Sequence, residues 1–217
     1  MHQWPSRFRQ GQHVTIIGPT GCGKTVLGAE LVTCRGHVVA TGIKYKDDSL
    51  TRLLKDDWIR VTDWRKRPKS AQRIVLWPKD DNVNTVQQTH KQVFGYLLQD
   101  VFKAGGWCVW SDELRYLTDI VGLRKPYVQL YVTGRSNHIS LVSAAQRPSH
   151  VPLEAYSQAQ HLFLFRTGDE RDLARMGGLN GTDSRQVAAT VASLPYHHFL
   201  YVNLTNGEQL ISTVKKG

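Results

Sequence analysis

No apolar run in this 217-residue chain approaches the roughly 18 residues that cross a bilayer. Its first ten residues, MHQWPSRFRQ, lack the apolar stretch of a secretory signal. A cytoplasmic location is therefore expected. Cysteine is scarce: Cys22, Cys34 and Cys108 are odd in number and form no C-x-x-C pair, which excludes a disulfide framework or a zinc ribbon. No internal repeat, low-complexity tract or linker interrupts the sequence, so a single domain over residues 1–217 is expected. Acidic residues are in deficit, 18 Asp and Glu against 28 Lys and Arg, leaving a formal charge of +10. Such an excess favours an anionic partner, nucleic acid or an anionic membrane face.

What is present alternates. Short β-rich runs occur at 13–18, 37–41, 73–77, 107–112, 138–145 and 161–165, with two more at 198–204 and 208–213. Helical segments separate them, a pattern that predicts a mixed α/β fold with a mostly parallel central sheet flanked by helices. Over 84–103, Val86, Val93, Phe94, Leu97, Leu98, Val101 and Phe102 recur at helical spacing, with Asp81 and Asn82 placed to cap. The last two runs flank Thr205-Asn206-Gly207, which predicts a C-terminal β-hairpin.

The chemistry begins at GPTGCGKT, Gly18 to Thr25, which fits G-x-x-x-x-G-K-[ST] between an apolar strand and a helical segment. The loop Gly18, Pro19, Thr20, Gly21, Cys22, Gly23 curls so that successive N–H groups face phosphate, and the helix adds its positive end. Lys24 then reaches the β- and γ-phosphates, and the Thr25 hydroxyl joins Mg²⁺. At the helix start the Cys22 thiol is placed to ionise more easily, the other reading being a buried, inert thiol.

WCVWSDE, 107–113, ends an apolar strand in Asp112, suited to holding Mg²⁺ through water, followed by Glu113. Glu113 reads as the base that polarises an attacking water, or as a carboxylate favoured by a helix start. No N-K-x-D segment for guanine recognition occurs, which points to ATP. In TGRSNHISLVSAAQRP, 133–148, an apolar strand separates Arg135 from Gln146. A neutral amide at 146 can bond both the γ-phosphate and the attacking water. Seven extended residues span roughly 23 Å, so Arg135 cannot serve the same nucleotide in the same subunit. In a ring it would act on a neighbour's ATP as an arginine finger.

These residues carry a resemblance. Gly18–Thr25, the SDE strand end and above all GRSNHISLVSAAQRPSHVP resemble the HerA/FtsK superfamily of ring-forming DNA translocases, over about residues 13 to 177. Ala145 stands where that family usually has threonine. The resemblance implies a RecA-like P-loop NTPase fold with Lys24, Glu113, Arg135 and Gln146 catalytic. It also implies ATP and Mg²⁺ as cofactors and double-stranded DNA pulled through a homo-oligomeric ring, a pentamer or hexamer. The bare ATPase core is most similar to viral and phage genome-packaging ATPases. That implies association with the virion through a portal, a capsid vertex or a virion membrane protein. Arg115, Arg124 and Lys125 follow the Asp-Glu strand and are expected to grip DNA phosphates. Arg65, Lys66 and Arg67 form a second candidate surface, with Trp64 able to pack on backbone or sugar, and either set also reads as a solvated face. Two other readings use the same loop: an assembly factor switched by nucleotide, and a small-molecule kinase.

Overall fold

The computed structural model describes residue 4, residues 7–178 and residues 184–214. Its centre is a nine-stranded sheet in the order β3-β4-β2-β5-β6-β1-β7-β8-β9. The first seven positions of that order are parallel. They are β3 (Ile59–Val61), β4 (Arg73–Leu76), β2 (Val38–Thr41), β5 (Cys108–Ser111), β6 (Ser140–Ala145), β1 (Val14–Ile17) and β7 (His161–Phe165). The last two, β8 (His198–Asn203) and β9 (Gln209–Thr213), are the expected hairpin and run antiparallel. Central strands such as Val14–Ile17 are buried on both faces, which is why they read as continuous apolar runs rather than alternating ones.

Helices cover both faces. On one side α1 (Lys24–Val32) and α2 (Asp48–Leu53) bury Leu27, Leu31, Leu50 and Leu53 with Trp58 and Trp110. On the other, α3 (Val86–Ala104) and α4 (Arg124–Thr133) set Phe94, Leu97, Leu98, Tyr127 and Leu130 against Val109, Leu141 and Leu164. The same layer takes Tyr156 of α5 (Glu154–Ser157), Met176 of α6 (Glu170–Gly177) and Val187 of α7 (Ser184–Ser193). Trp4 closes the hairpin end, edge-on to Phe163 at 5.5 Å and Phe199 at 5.4 Å.

Each expected strand forms, and β3 is added. Its three residues at the sheet edge leave Ile59 and Arg60 exposed, too short and too wet to signal in the sequence. The long helix forms, but Asp81 and Asn82 do not cap it. Thr85 is the N-cap, and its hydroxyl and that of Thr89 donate to Asp80, while Asn82 closes a local turn with the Asn84 N–H. Phe102 does not join the core: it is partly exposed, one position past the buried stripe.

Candidate functional site

Strand register places the site. Ile17 pairs with Ala145 and Ser111 with Ser143, so Gly18, Asp112 and Gln146 all emerge at the C-terminal edge of adjacent parallel strands, where open α/β sheets bind ligands. The Gly18 N–H donates to the Ala145 carbonyl at 3.2 Å and fixes the start of the loop. A Cβ at Gly18 would lie 2.5 Å from Phe165 Cβ, so only glycine fits there. Gly23 turns the chain into α1 at φ 108°, a conformation side chains resist. Lys24, buried in this turn, donates from Nζ to the Pro19 carbonyl at 2.8 Å and so lies across the concave side of the loop.

The Thr25 hydroxyl donates to Asp112 Oδ2 at 2.9 Å. The other Asp112 oxygen is buried without a hydrogen-bond partner. An orphaned carboxylate oxygen beside a hydroxyl is a hard oxygen donor set, which fits Mg²⁺. Burial raises the Asp112 pKa, opposed by Thr25 and by Lys44, whose Nζ lies 3.7 Å from Oδ2. Next to it, Glu113 Oε2 accepts from Gln146 Nε2 at 3.1 Å. Burial also raises the Glu113 pKa, with the Gln146 bond pulling the other way.

Lys24, Thr25, Asp112, Glu113 and Gln146 therefore converge, and Arg135 does not. It is exposed in a 3-10 turn, Gly134–Asn137, before β6 begins, and the six strand residues between it and Gln146 cover roughly 20 Å.

The thiol of Cys22 follows the buried, inert reading. It is packed inside the loop, 3% exposed, and burial raises its pKa instead of easing ionisation. Helix-end electrostatics lose here to desolvation.

The basic residues fall at two ends of the molecule. Arg115, Arg124 and Lys125 are exposed on the segment after Glu113, with Arg124 paired to Asp119 at 3.0 Å. Trp64 is not available to a ligand: it is buried, its Nε1 donates to Asp100, and it lies edge-on to Trp107 at the opposite edge of the sheet. Its neighbours follow it there. Arg67 pairs with Asp100 and lies over the Trp64 ring, Arg65 pairs with Asp63 and lies over Tyr96, and Lys66 is exposed.

Two features were missed in the sequence. One is Lys44, carried beside Asp112 because β2 pairs with β5; the Lys in GIKYKDD gives no signal until that pairing is known. The other is a cleft of about 310 Å³ beside the loop, lined by Pro19, Cys22, Phe165, Arg166, Tyr196 and His197. There the Tyr196 hydroxyl donates to the Gly21 carbonyl and His197 Nδ1 to that of Cys22, both at 3.1 Å.

No protein-family model matches the chain. It is 26% identical over 213 residues to the DNA packaging ATPase P9 of Enterobacteria phage PRD1, covering 93% of this chain and 86% of that one. The genome packaging NTPase B204 of Sulfolobus turreted icosahedral virus 2, solved with AMPPCP, superposes with a TM-score of 0.69 at 16% identity, covering 96% of this chain and all of that one. VirB4 of Thermoanaerobacter pseudethanolicus gives 0.69 at 10% identity, over 94% and 89% of the two chains. In sequence the chain is thus homologous to a phage DNA packaging ATPase, and its fold is that of P-loop ATPases.

Proposed function

We propose that this protein is an ATP-driven motor that moves double-stranded DNA into a viral particle as a homo-oligomeric ring. The observation that carries the reading is the division of β6: Gln146 ends it at the nucleotide edge, and Arg135 precedes it at the far edge. A strand so built links two ATP sites, its own and a neighbour's.

Lys24 and the loop N–H groups bind the phosphates, and Tyr196 with His197 walls the cleft open to the base. Thr25 and Asp112 would hold Mg²⁺, which would supply charge neutralisation at the phosphates. Glu113 accepts the proton of the attacking water. The Gln146 amide, hydrogen-bonded to Glu113, is also the group placed to read the γ-phosphate, so engaging the phosphate frees the glutamate's oxygen for water. Arg135 of an adjacent copy supplies positive charge in the transition state. Exposed Arg115, Arg124 and Lys125 face the DNA backbone without reading bases. Arg65, Lys66 and Arg67 belong to a solvated face, since two of them are already paired and stacked at the other edge.

ATPase rate measured with and without duplex DNA over a range of protein concentrations tests the reading. Stimulation by DNA and a rate per subunit that rises with concentration are expected. A DNA-independent, concentration-independent rate would favour a nucleotide-switched assembly factor or a kinase.

A further inference from the structure

A cleft of about 630 Å³ lies away from the phosphate loop, between the turns that leave β2 and β4. Both strands are parallel to β5, so these turns share the sheet edge that carries Asp112. Lys44, Lys46, Arg60 and Lys79 line the cleft, four cations against the two carboxylates of Asp80 and Asp81. Asp80 is already spent on the hydroxyls of Thr85 and Thr89. Tyr45 stands between two of the lysines with 74% of its surface exposed, which no packing requirement explains.

The turn is held in shape. Trp77, at the end of β4, donates from Nε1 to the Lys44 carbonyl at 2.7 Å. Arg60 lies over the Trp77 ring at 4.3 Å. A Cβ at Gly42 would come within 2.7 Å of the same ring, so the turn sits flat against it. Its two lysines consequently differ in role. Lys44, itself exposed, pairs with Asp47 at 3.3 Å and approaches Asp112 at 3.7 Å; Tyr45 and Lys46 are exposed beside it. The cleft also reaches His90, whose Nδ1 lies 2.9 Å from the Tyr116 hydroxyl, and Tyr116 adjoins Arg115.

We infer that the turn Lys44–Lys46, with Lys79, is a contact for the sugar-phosphate backbone of duplex DNA, continuous with Arg115 and joined through Lys44 to the nucleotide site. This rests on the motor reading above and adds to it where the duplex is gripped. Cations on a pinned turn suit a sequence-blind hold, since they neutralise phosphate and make no base contact, and an exposed aromatic ring packs on sugar. The Lys44–Asp112 approach gives that hold a direct route to the metal-binding carboxylate.

The test is anisotropy of a labelled duplex titrated with the full chain from 50 to 200 mM salt. The double variant Lys46→Ala/Lys79→Ala should bind about tenfold more weakly, with the log–log salt slope reduced by about 1.8, roughly 0.9 for each phosphate no longer neutralised. A second duplex of unrelated sequence should lose the same factor. Lys46→Arg/Lys79→Arg should retain the slope. An unchanged slope in a double-alanine variant that melts at the wild-type temperature overturns the inference, and if Arg115→Ala lowers the slope in the same assay, the motor reading survives it. A wild-type chain that binds no duplex at any salt overturns both.

Discussion

Gln146 and Glu113 leave neighbouring positions of the sheet, at the ends of β6 and β5, and are joined by a 3.1 Å hydrogen bond from amide to carboxylate. The bond forms because β6 lies directly between β5 and β1, so Gln146, one residue past β6, and Glu113, two past β5, both fall within side-chain reach of the phosphate loop. It ties the expected water-activating group to the expected phosphate-reading group before any substrate is considered.

Glu113→Gln should therefore lower ATP turnover by about 10²–10⁴-fold while nucleotide binding persists, because an amide keeps the contact but cannot accept the proton. Lys24→Ala should instead lose binding itself. Equilibrium titration with a fluorescent ATP analogue beside steady-state hydrolysis separates the two. Wild-type turnover in Glu113→Gln would remove that residue from the chemistry.

The three thiols should differ sharply. Cys22 and Cys108 are buried, and burial pushes Cys108 up to about 12, whereas Cys34 is exposed. Titration with a chromogenic disulfide should find one fast thiol per native chain and three after denaturation. Fast reaction at Cys22 would mean the loop does not pack as described.

Two buried histidines make stability depend on pH. Burial lowers His13 and His161 to about 4, from the usual 6.5, and His13 Nδ1 accepts the Leu141 N–H, a role only the neutral ring can fill. Since the unfolded chain binds these protons first, the stabilisation is complete above about pH 6.5 and declines as pH falls toward 4, by on the order of 3 kcal/mol for each ring. Urea unfolding between pH 7.5 and 5 should show the midpoint falling. A flat profile from 6.5 to 5 would contradict neutral burial of both rings.

Gly28→Ala should destabilise the fold. A Cβ there would sit 2.6 Å from Nε1 of Trp110, itself fully buried on β5, so α1 must move off the sheet. A cost of about 1–3 kcal/mol follows, or roughly 2–4 °C of melting temperature per kcal/mol. Thermal unfolding measures it, and an unchanged midpoint would show that α1 packs less closely than described.

Much of this was legible in the sequence, for reasons particular residues make clear. Parallel strands such as Cys108–Ser111 are buried on both sides and stand out as apolar runs, and the phosphate loop is local, so Gly18 to Thr25 can be read without a fold. Contacts made by strand order cannot. Lys44 meets Asp112 only because β2 and β5 are adjacent, and Tyr196 meets Gly21 across 175 positions of chain. Trp64 misled because an aromatic among arginines suggests an exposed platform, when its ring is the buried anchor on which Arg67 stacks. Cys22 could be read either way, since its helix-end position is local whereas its burial depends on how the loop packs.

The claim that β6 joins two ATP sites is tested most directly by mixing inactive subunits. Arg135→Ala should lose about 10³-fold or more in hydrolysis with ATP affinity nearly intact, because a finger acts in the transition state. A Lys24→Ala subunit cannot use its own ATP but still offers Arg135, so mixing it with Arg135→Ala should restore ATPase activity at interfaces where an intact loop meets an intact arginine. Mixing Lys24→Ala with Gln146→Ala should restore none, since no site then holds both the lysine and the glutamine. Rescue in the first mixture alone is the predicted result; rescue in both, or in neither when assembled rings are present, would contradict the account.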